Sequence, residues 1–345
     1  MVKQEIHYFA GTFGSVGYTS YLDSNFSPLK RTVRLSGYPG QAAEQLVEHV
    51  RKEAARRGMS CEIIHNFLDG RPEGIIIPEC GAGLINVPLY LLGEENLLGI
   101  LEDEHIMQTK NALSDAESCF RQAKKIHDGW EKIYIANMDF GAADSLADET
   151  CRRVLDGRKG TETGRIADRF LGAATSEGSV DKIEQITKEL MKRYFIKGRP
   201  GTGKSTFLRK VVRAASNAGF DVEQYHCSFD PGSLDMAVIR GLGVCLFDST
   251  APHEYFPSRA SDEIIDIYET AVTPGTDEKY EKELAAFSAE YKFKVLEAGK
   301  ALRRARSAYE KTEAYYMAKI NWVEFEQAAE NYRGILLEQQ DEISS

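Results

Sequence analysis

Apolar residues along this chain fall into short runs separated by helix-length amphipathic stretches, and the pattern occurs twice. In the second half, Tyr194-Phe195-Ile196 precedes a helical pattern from Phe207-Leu208 through Val211-Val212 to Ala215. A turn follows at Gly219, where glycine suits a helix C-cap. A second strand is expected from Val222 to Cys227 and, after a polar loop, a third from Gly243 to Phe247. The first half reads in the same order: Val33-Arg34-Leu35, a helix to Gly58, Cys61 to His65, a polar loop, and Gly83 to Val87. Strands divided by helix-length segments predict an α/β fold with a parallel sheet covered on both faces. Each half closes with a long helical stretch, Glu104 to Leu155 and Asp277 to Gln340. In the second, Leu296, Leu302, Tyr309, Tyr316 and Ile320 recur at helical spacing. Each stretch is too long for one ordinary helix and is expected to form a helical hairpin. Arg303, Arg304 and Arg306 are expected on its solvated face.

The two halves are copies of one unit. Gly37-Tyr38-Pro39-Gly40 matches Gly198-Arg199-Pro200-Gly201 at an offset of 198 − 37 = 161. The same offset aligns Phe9 with Phe170, Gly58 with Gly219, His65 with His226 and Asp69 with Asp230. Toward the end of each copy, Arg121 aligns with Arg303 and Tyr134 with Tyr316, an offset of 303 − 121 = 182. The second copy therefore carries 182 − 161 = 21 extra residues, between roughly Ala251 and Lys292. A polar, Gly-rich segment from Asp156 to Gly164 marks the boundary, giving domains 1–156 and 157–345.

Between strand and helix in the second copy stands Gly198-Arg199-Pro200-Gly201-Thr202-Gly203-Lys204-Ser205, followed by Thr206. G-x-x-x-x-G-K-S in that context is a phosphate-binding P-loop. Several backbone N–H groups can converge on phosphate oxygens only where no Cβ intrudes, which explains the glycines. The helix N-terminus adds its partial positive charge, Lys204 can reach the β- and γ-phosphates, and Ser205 can join the shell of Mg²⁺. Asp248, closing Val244-Cys245-Leu246-Phe247, is the expected acidic partner of that ion. Asp230 and His253 lie at the same expected sheet edge and are candidates to orient water or an acceptor. His226 reads as a structural hydrogen-bonding residue, because His65 persists in the other copy. The Gly/Ser/Thr segments Phe9–Gly17 and Phe170–Gly178 either touch nucleotide or simply turn the chain. In the first copy Ala42-Ala43-Glu44 replaces Gly203-Lys204-Ser205, and Val87 falls at the position of Asp248 (248 − 161 = 87). The carboxylate of Glu44 is expected where phosphate oxygens would lie, which makes this a pseudo-site.

The net charge of −10 argues against a general nucleic-acid surface, and no apolar run approaches the roughly 20 residues that span a bilayer. Six widely spaced cysteines suit neither a zinc site nor a disulfide framework; free thiols in a reducing cytoplasm are the plain expectation.

Pro200-Gly201-Thr202-Gly203-Lys204-Ser205, His226-Cys227-Ser228-x-Asp230-Pro231-x-Ser233-Leu234-Asp235 and Asp248-x-Thr250-Ala251-Pro252-His253 together resemble an uncharacterised family of bacterial tandem P-loop ATPases. The resemblance covers nearly the whole chain. It implies two tandem P-loop NTPase units, ATP binding and hydrolysis. In that family the first unit often has an intact P-loop, from which Gly37 to Glu44 departs. The expected function is a Mg²⁺-dependent ATPase with ATP and Mg²⁺ at one site. Its helical hairpins would carry the conformational output and offer a surface to a protein partner or a second copy. A small-molecule or nucleotide kinase, using Asp230, Asp235 and a lid bearing Arg259, is the alternative. A non-enzymatic nucleotide-gated interaction module is a third.

Overall fold

The apolar runs become strands and the amphipathic stretches helices in a computed structural model that describes residues 3–92, 104–160, 162–251 and 254–338. The first half runs β1 (Glu5–Tyr8), the hairpin β2 (Gly11–Gly14) and β3 (Gly17–Ser20), α1 (Leu22–Phe26), β4 (Arg31–Ser36), α2 (Gly40–Arg56), β5 (Cys61–His65), β6 (Pro72–Ile77) and β7 (Ala82–Val87). The helices α3 (Glu104–Ile135) and α4 (Phe140–Leu155) follow. The second half repeats this order as β8 (Ile166–Phe170), β9 (Gly172–Thr175), β10 (Gly178–Asp181), α5 (Ile183–Thr187), β11 (Lys192–Lys197), α6 (Lys204–Asn217), β12 (Val222–His226), β13 (Leu234–Ile239) and β14 (Val244–Asp248). It then adds β15 (Glu263–Asp266), α7 (Ile267–Ala271) and α8 (Thr276–Lys279) before α9 (Glu281–Met317) and α10 (Trp322–Leu337). The excess sequence of the second copy thus builds one more strand at the sheet edge.

The sheets have the orders β1-β5-β6-β7-β4 and β8-β12-β13-β14-β11-β15. Parallel pairs flank one antiparallel strand in each, β6 and β13. The sequence reading leaves both of these strands in a polar loop, because Pro72-Glu73 and Leu234-Asp235 open them. The connection from His65 to Pro72 is too short to hold a crossover helix, so the Ile75-Ile76-Ile77 run returns antiparallel. Gly81 (φ +55°) and Gly243 (φ +67°) make the tight turns out of these strands.

The long helices cover only one face of each sheet, while Phe26 of α1 and Ile183 and Ile186 of α5 reach the other. Alternate strand residues point to opposite faces, and the inner sets, Tyr8, Ile64, Ile76 and Ile85 with Phe195, Tyr225, Met236 and Phe247, share one core between the two sheets. At the sheet edges Phe9 and Phe170 exchange backbone bonds, N–H to O at 3.0 and 2.9 Å, across an antiparallel bridge. These residues are equivalent in the two copies, so an approximate two-fold axis relates the halves.

The outer layers are exchanged. Ala147 and Val154 of α4 pack with Phe207, Leu208 and Val211 of α6 in the second half. Phe325, Ala329 and Leu336 of α10 pack with Leu46, Val47 and Val50 of α2 in the first. The long helices pair with each other rather than folding back as hairpins. Thr109 meets Ala305, Asp115 meets Arg304, and Gly129 faces Phe287, so α3 and α9 run antiparallel. Leu302 and Tyr309 are buried in this pair, whereas Leu296 is exposed. Arg306 leaves the solvated face expected of it and is buried. No helix among the described residues is long and apolar enough to cross a membrane.

Candidate functional site

The turn between β11 and α6 is shaped by its glycines. Gly201 and Gly203 both have φ +80°, a region that side chains with a Cβ enter at a cost. A Cβ on Gly198 would stand 2.5 Å from Thr202 Oγ1, and one on Gly201 would stand 2.6 Å from the Glu131 carbonyl oxygen of α3. Pro200 sits between them. Buried Thr202 ties the turn together, its hydroxyl donating to the Arg199 carbonyl (2.8 Å) and accepting from the Arg199 N–H (3.2 Å). Gly203 is the N-cap of α6, so the free N–H groups of that helix open onto the turn.

The charged groups gather here. Lys204 Nζ donates to the Arg199 carbonyl (2.9 Å) and lies 3.5 Å from Asp248 Oδ2 at the end of the neighbouring parallel strand. Asp248 Oδ1 accepts from the Thr250 amide and hydroxyl at 3.1 and 2.6 Å. Ser205 Oγ accepts from the Leu234 N–H and from Arg209 Nη1, both at 2.9 Å, and Thr206 is exposed. Asp230 accepts from the Ser233 hydroxyl (3.2 Å) and lies 3.4 Å from Lys124 Nζ. His253 lies outside the described residues. His226 is held between the Pro231 carbonyl and Asp168, each at 2.8 Å, and His65 makes the matching contact to the Gly70 carbonyl at 2.7 Å. Both histidines fix the loop after their strand. The Arg259 guanidinium donates to the Thr187, Lys188 and Leu190 carbonyls at the end of α5.

The other half completes the site. Lys124, His127, Asp128 and Glu131 stand on one face of α3, which the first half contributes, and none is among the residues read from the sequence. Burial opposes the charge on Lys124, but its bond to Asp128 and the nearby Asp230 outweigh that and hold its pKa above the usual lysine value. Burial lowers His127 and raises Glu131. Ligand atoms of His127, Asp128 and Glu131 lie within 4.8 Å of one another. The hairpin β2–β3 also crosses over: the Ser15 N–H donates to the Phe229 carbonyl (3.0 Å), beside Asp230, and Ser176 does the same to Leu68 (3.1 Å). The Gly/Ser/Thr segments are thus interlocking hairpins. A signal for α3 exists at the 182-residue offset, where Lys124 matches Arg306 and Glu131 matches Glu313 (306 − 124 = 313 − 131 = 182).

The first turn differs in two ways from the sequence reading. Strand register sets Ile196 beside Asp248 and Leu35 beside Asn86; because 196 − 35 = 161, Asn86 rather than Val87 occupies the place of Asp248. Its amide clamps Tyr38, accepting from the N–H (3.2 Å) and donating to the carbonyl (3.0 Å). The carboxylate that meets the turn is not Glu44 but Glu313 of α9, whose Oε1 accepts from the Gly40 N–H at 2.7 Å. Glu73 lines the same cavity, and burial pushes its carboxyl up to about 8, with Asp69 adding to the rise. The folded state therefore holds this proton more tightly than the unfolded chain does. The stability it confers is complete below about pH 4.5 and is lost as pH rises toward about 8. Glu73→Gln is expected to match the wild type at pH 4.5 and to exceed it by a few kcal/mol at pH 8, checked by urea unfolding at both pH values.

No protein-family model, curated protein or solved structure matches this chain.

Proposed function

We propose that the chain is a Mg²⁺-dependent ATPase built of two tandem P-loop units, divided near residue 156, with one working site at Gly198–Ser205. The observation that carries this reading is the Lys204 ammonium, set on its own turn and 3.5 Å from Asp248, where a strand passes through two left-handed glycines into a helix. A cradle that tolerates no Cβ at Gly198 or Gly201 suits phosphate approached by backbone N–H groups. Bound Mg²⁺ supplies charge neutralisation at the phosphates. The turn amides and Lys204 bind and orient them, while Ser205 and Asp248 hold the ion. Asp230 orients the attacking water, a role for which His253 is also a candidate. The Asp248→Asn variant is expected to release phosphate from Mg-ATP about tenfold more slowly or worse. Wild-type rates in that variant would remove Asp248 from the site, and no release by the wild type would remove hydrolysis.

One observation favours a second reading, the nucleotide-gated module. The Glu131 backbone touches Gly201, so any change in the turn is felt by α3 and its partner α9. Tight nucleotide binding without turnover would select that reading.

A further inference from the structure

The first turn has lost its lysine and the glycine equivalent to Gly203, yet it still holds an anion. Ala42 stands where Gly203 would be, and a residue with a Cβ resists φ +80°. The helix accordingly starts three positions earlier in this copy, at Gly40 instead of at the equivalent of Lys204. That leaves the Gly40 N–H, at the start of a 17-residue helix, facing the cavity beneath α9.

Glu313 fills this place. The residue is 6% exposed, and Oε1 accepts from the Gly40 N–H at 2.7 Å. A Cβ at Gly40 would stand 2.7 Å from the same oxygen, so the glycine is what admits the carboxylate to the amide. Oε2 accepts from Arg306 Nη1 at 2.8 Å and lies 3.8 Å from Arg71 Nη1. Arg306 is itself 9% exposed and also bonds Asp69 (3.0 Å). Arg71 Nη1 is buried without a hydrogen-bond partner. A helix N-terminus, a buried guanidinium and a second, unsatisfied guanidinium nitrogen converge on one pair of oxygens. This is the donor set that recognises an oxyanion.

We propose that the first turn is an oxyanion-binding site whose resident ligand is the chain's own Glu313 carboxylate. It thereby latches α9 of the second half onto the first half and keeps the turn closed to phosphate. The class of ligand that exchanges with Glu313 is a small oxyanion, inorganic phosphate or the phosphate of a monoester. The inference stands apart from the nucleotide reading of the second turn, because no group of Gly198–Ser205 takes part in it.

The test is chemical rescue by inorganic phosphate, made in a Lys204→Ala background so that phosphate at the second turn does not contribute. Glu313→Ala is expected to melt several degrees lower than its parent. Phosphate, titrated at constant ionic strength, is expected to restore the melting temperature saturably in this variant, with a shift at least about threefold larger than in the parent. Adding Arg306→Met is expected to abolish the rescue. An equal phosphate shift in parent and variant, or a Glu313→Ala chain as stable as its parent in chloride alone, would overturn the proposal. Should Glu313→Ala not fold, Glu313→Gln keeps the shape while lowering the charge. Its Gly40 amide resonance must then move with added phosphate, and a resonance that does not move overturns the proposal equally.

Discussion

Lys204→Ala is expected to lower Mg-ATP turnover by about a hundredfold or more while leaving the melting temperature nearly unchanged. The asymmetry follows from what the side chain touches. Its ammonium bonds one carbonyl of its own turn and faces Asp248 at 3.5 Å, and without it Asp248 keeps the Thr250 amide and hydroxyl as donors, so little stability is lost. Under the proposed function, the same ammonium would face the phosphate oxygens of a bound nucleotide, whose charge develops in the reaction, and there a preorganised cation is most effective. The turn should keep its shape in the variant, since Gly201, Gly203 and the Thr202–Arg199 bonds do not depend on the lysine. Phosphate release and thermal unfolding on one preparation check both halves of the expectation. Full turnover in the variant would mean that hydrolysis occurs elsewhere.

The largest effect on stability is expected far from this turn, at Arg169→Met. Arg169 lies near the approximate two-fold axis with 3% of its surface exposed. Its Nη2 is 2.7 Å from Glu62 and its Nη1 3.5 Å from Glu223, carboxylates that occupy equivalent positions in the two halves (223 − 62 = 161). Nε donates to Asn25 Oδ1 at 3.0 Å, and the guanidinium stacks 4.2 Å over the Tyr8 ring. Tyr8 is itself the residue equivalent to Arg169 (169 − 8 = 161), so the two halves supply an aromatic face and a cation to each other. Burial opposes the charge on Arg169, but Glu62, Tyr8 and Glu223 more than offset it and raise its pKa further. Removing the cation leaves Glu62 and Glu223 buried with reduced compensation, a change that costs about 3–5 kcal/mol. Urea unfolding measures it. Adding Glu62→Gln to the variant should recover part of the loss, because one unpaired charge is then gone. A loss under about 1 kcal/mol would mean that other partners, such as Arg240, which donates to Glu223, satisfy the two carboxylates without Arg169.

Much of this architecture is legible locally. Each outer helix shows its apolar stripe, each buried parallel strand its apolar run, and the Gly198–Ser205 motif announces its own strand, turn and helix. The duplication is visible as well, because glycine, proline, histidine and aspartate at one offset mark turns that both copies need. The antiparallel strands are less visible, since each carries a carboxylate, Glu73 or Asp235, in its second position at a loop edge. Asn86 is displaced by one position because the loop after Asp230 is one residue longer than that after Asp69, a shift that only strand register exposes. What a single sequence does not display is the exchange. An amphipathic face states that it will be buried but not against which half, so α4 reads as part of a first-half hairpin although its stripe fits α6. For the same reason Arg306 reads as a solvated charge and Lys124 goes unremarked. The groups that finish each site lie on a helix whose partner is set by the two-fold arrangement, not by neighbours in sequence.

The proposed protein has one working nucleotide site, made at the second turn and completed by the first half. Counting Mg-nucleotide bound per chain by isothermal titration, with a non-hydrolysable ATP analogue, tests it most directly. One nucleotide per wild-type chain is expected, with a binding isotherm that collapses in Lys204→Ala. Two nucleotides per chain, or one that survives Lys204→Ala, would contradict it.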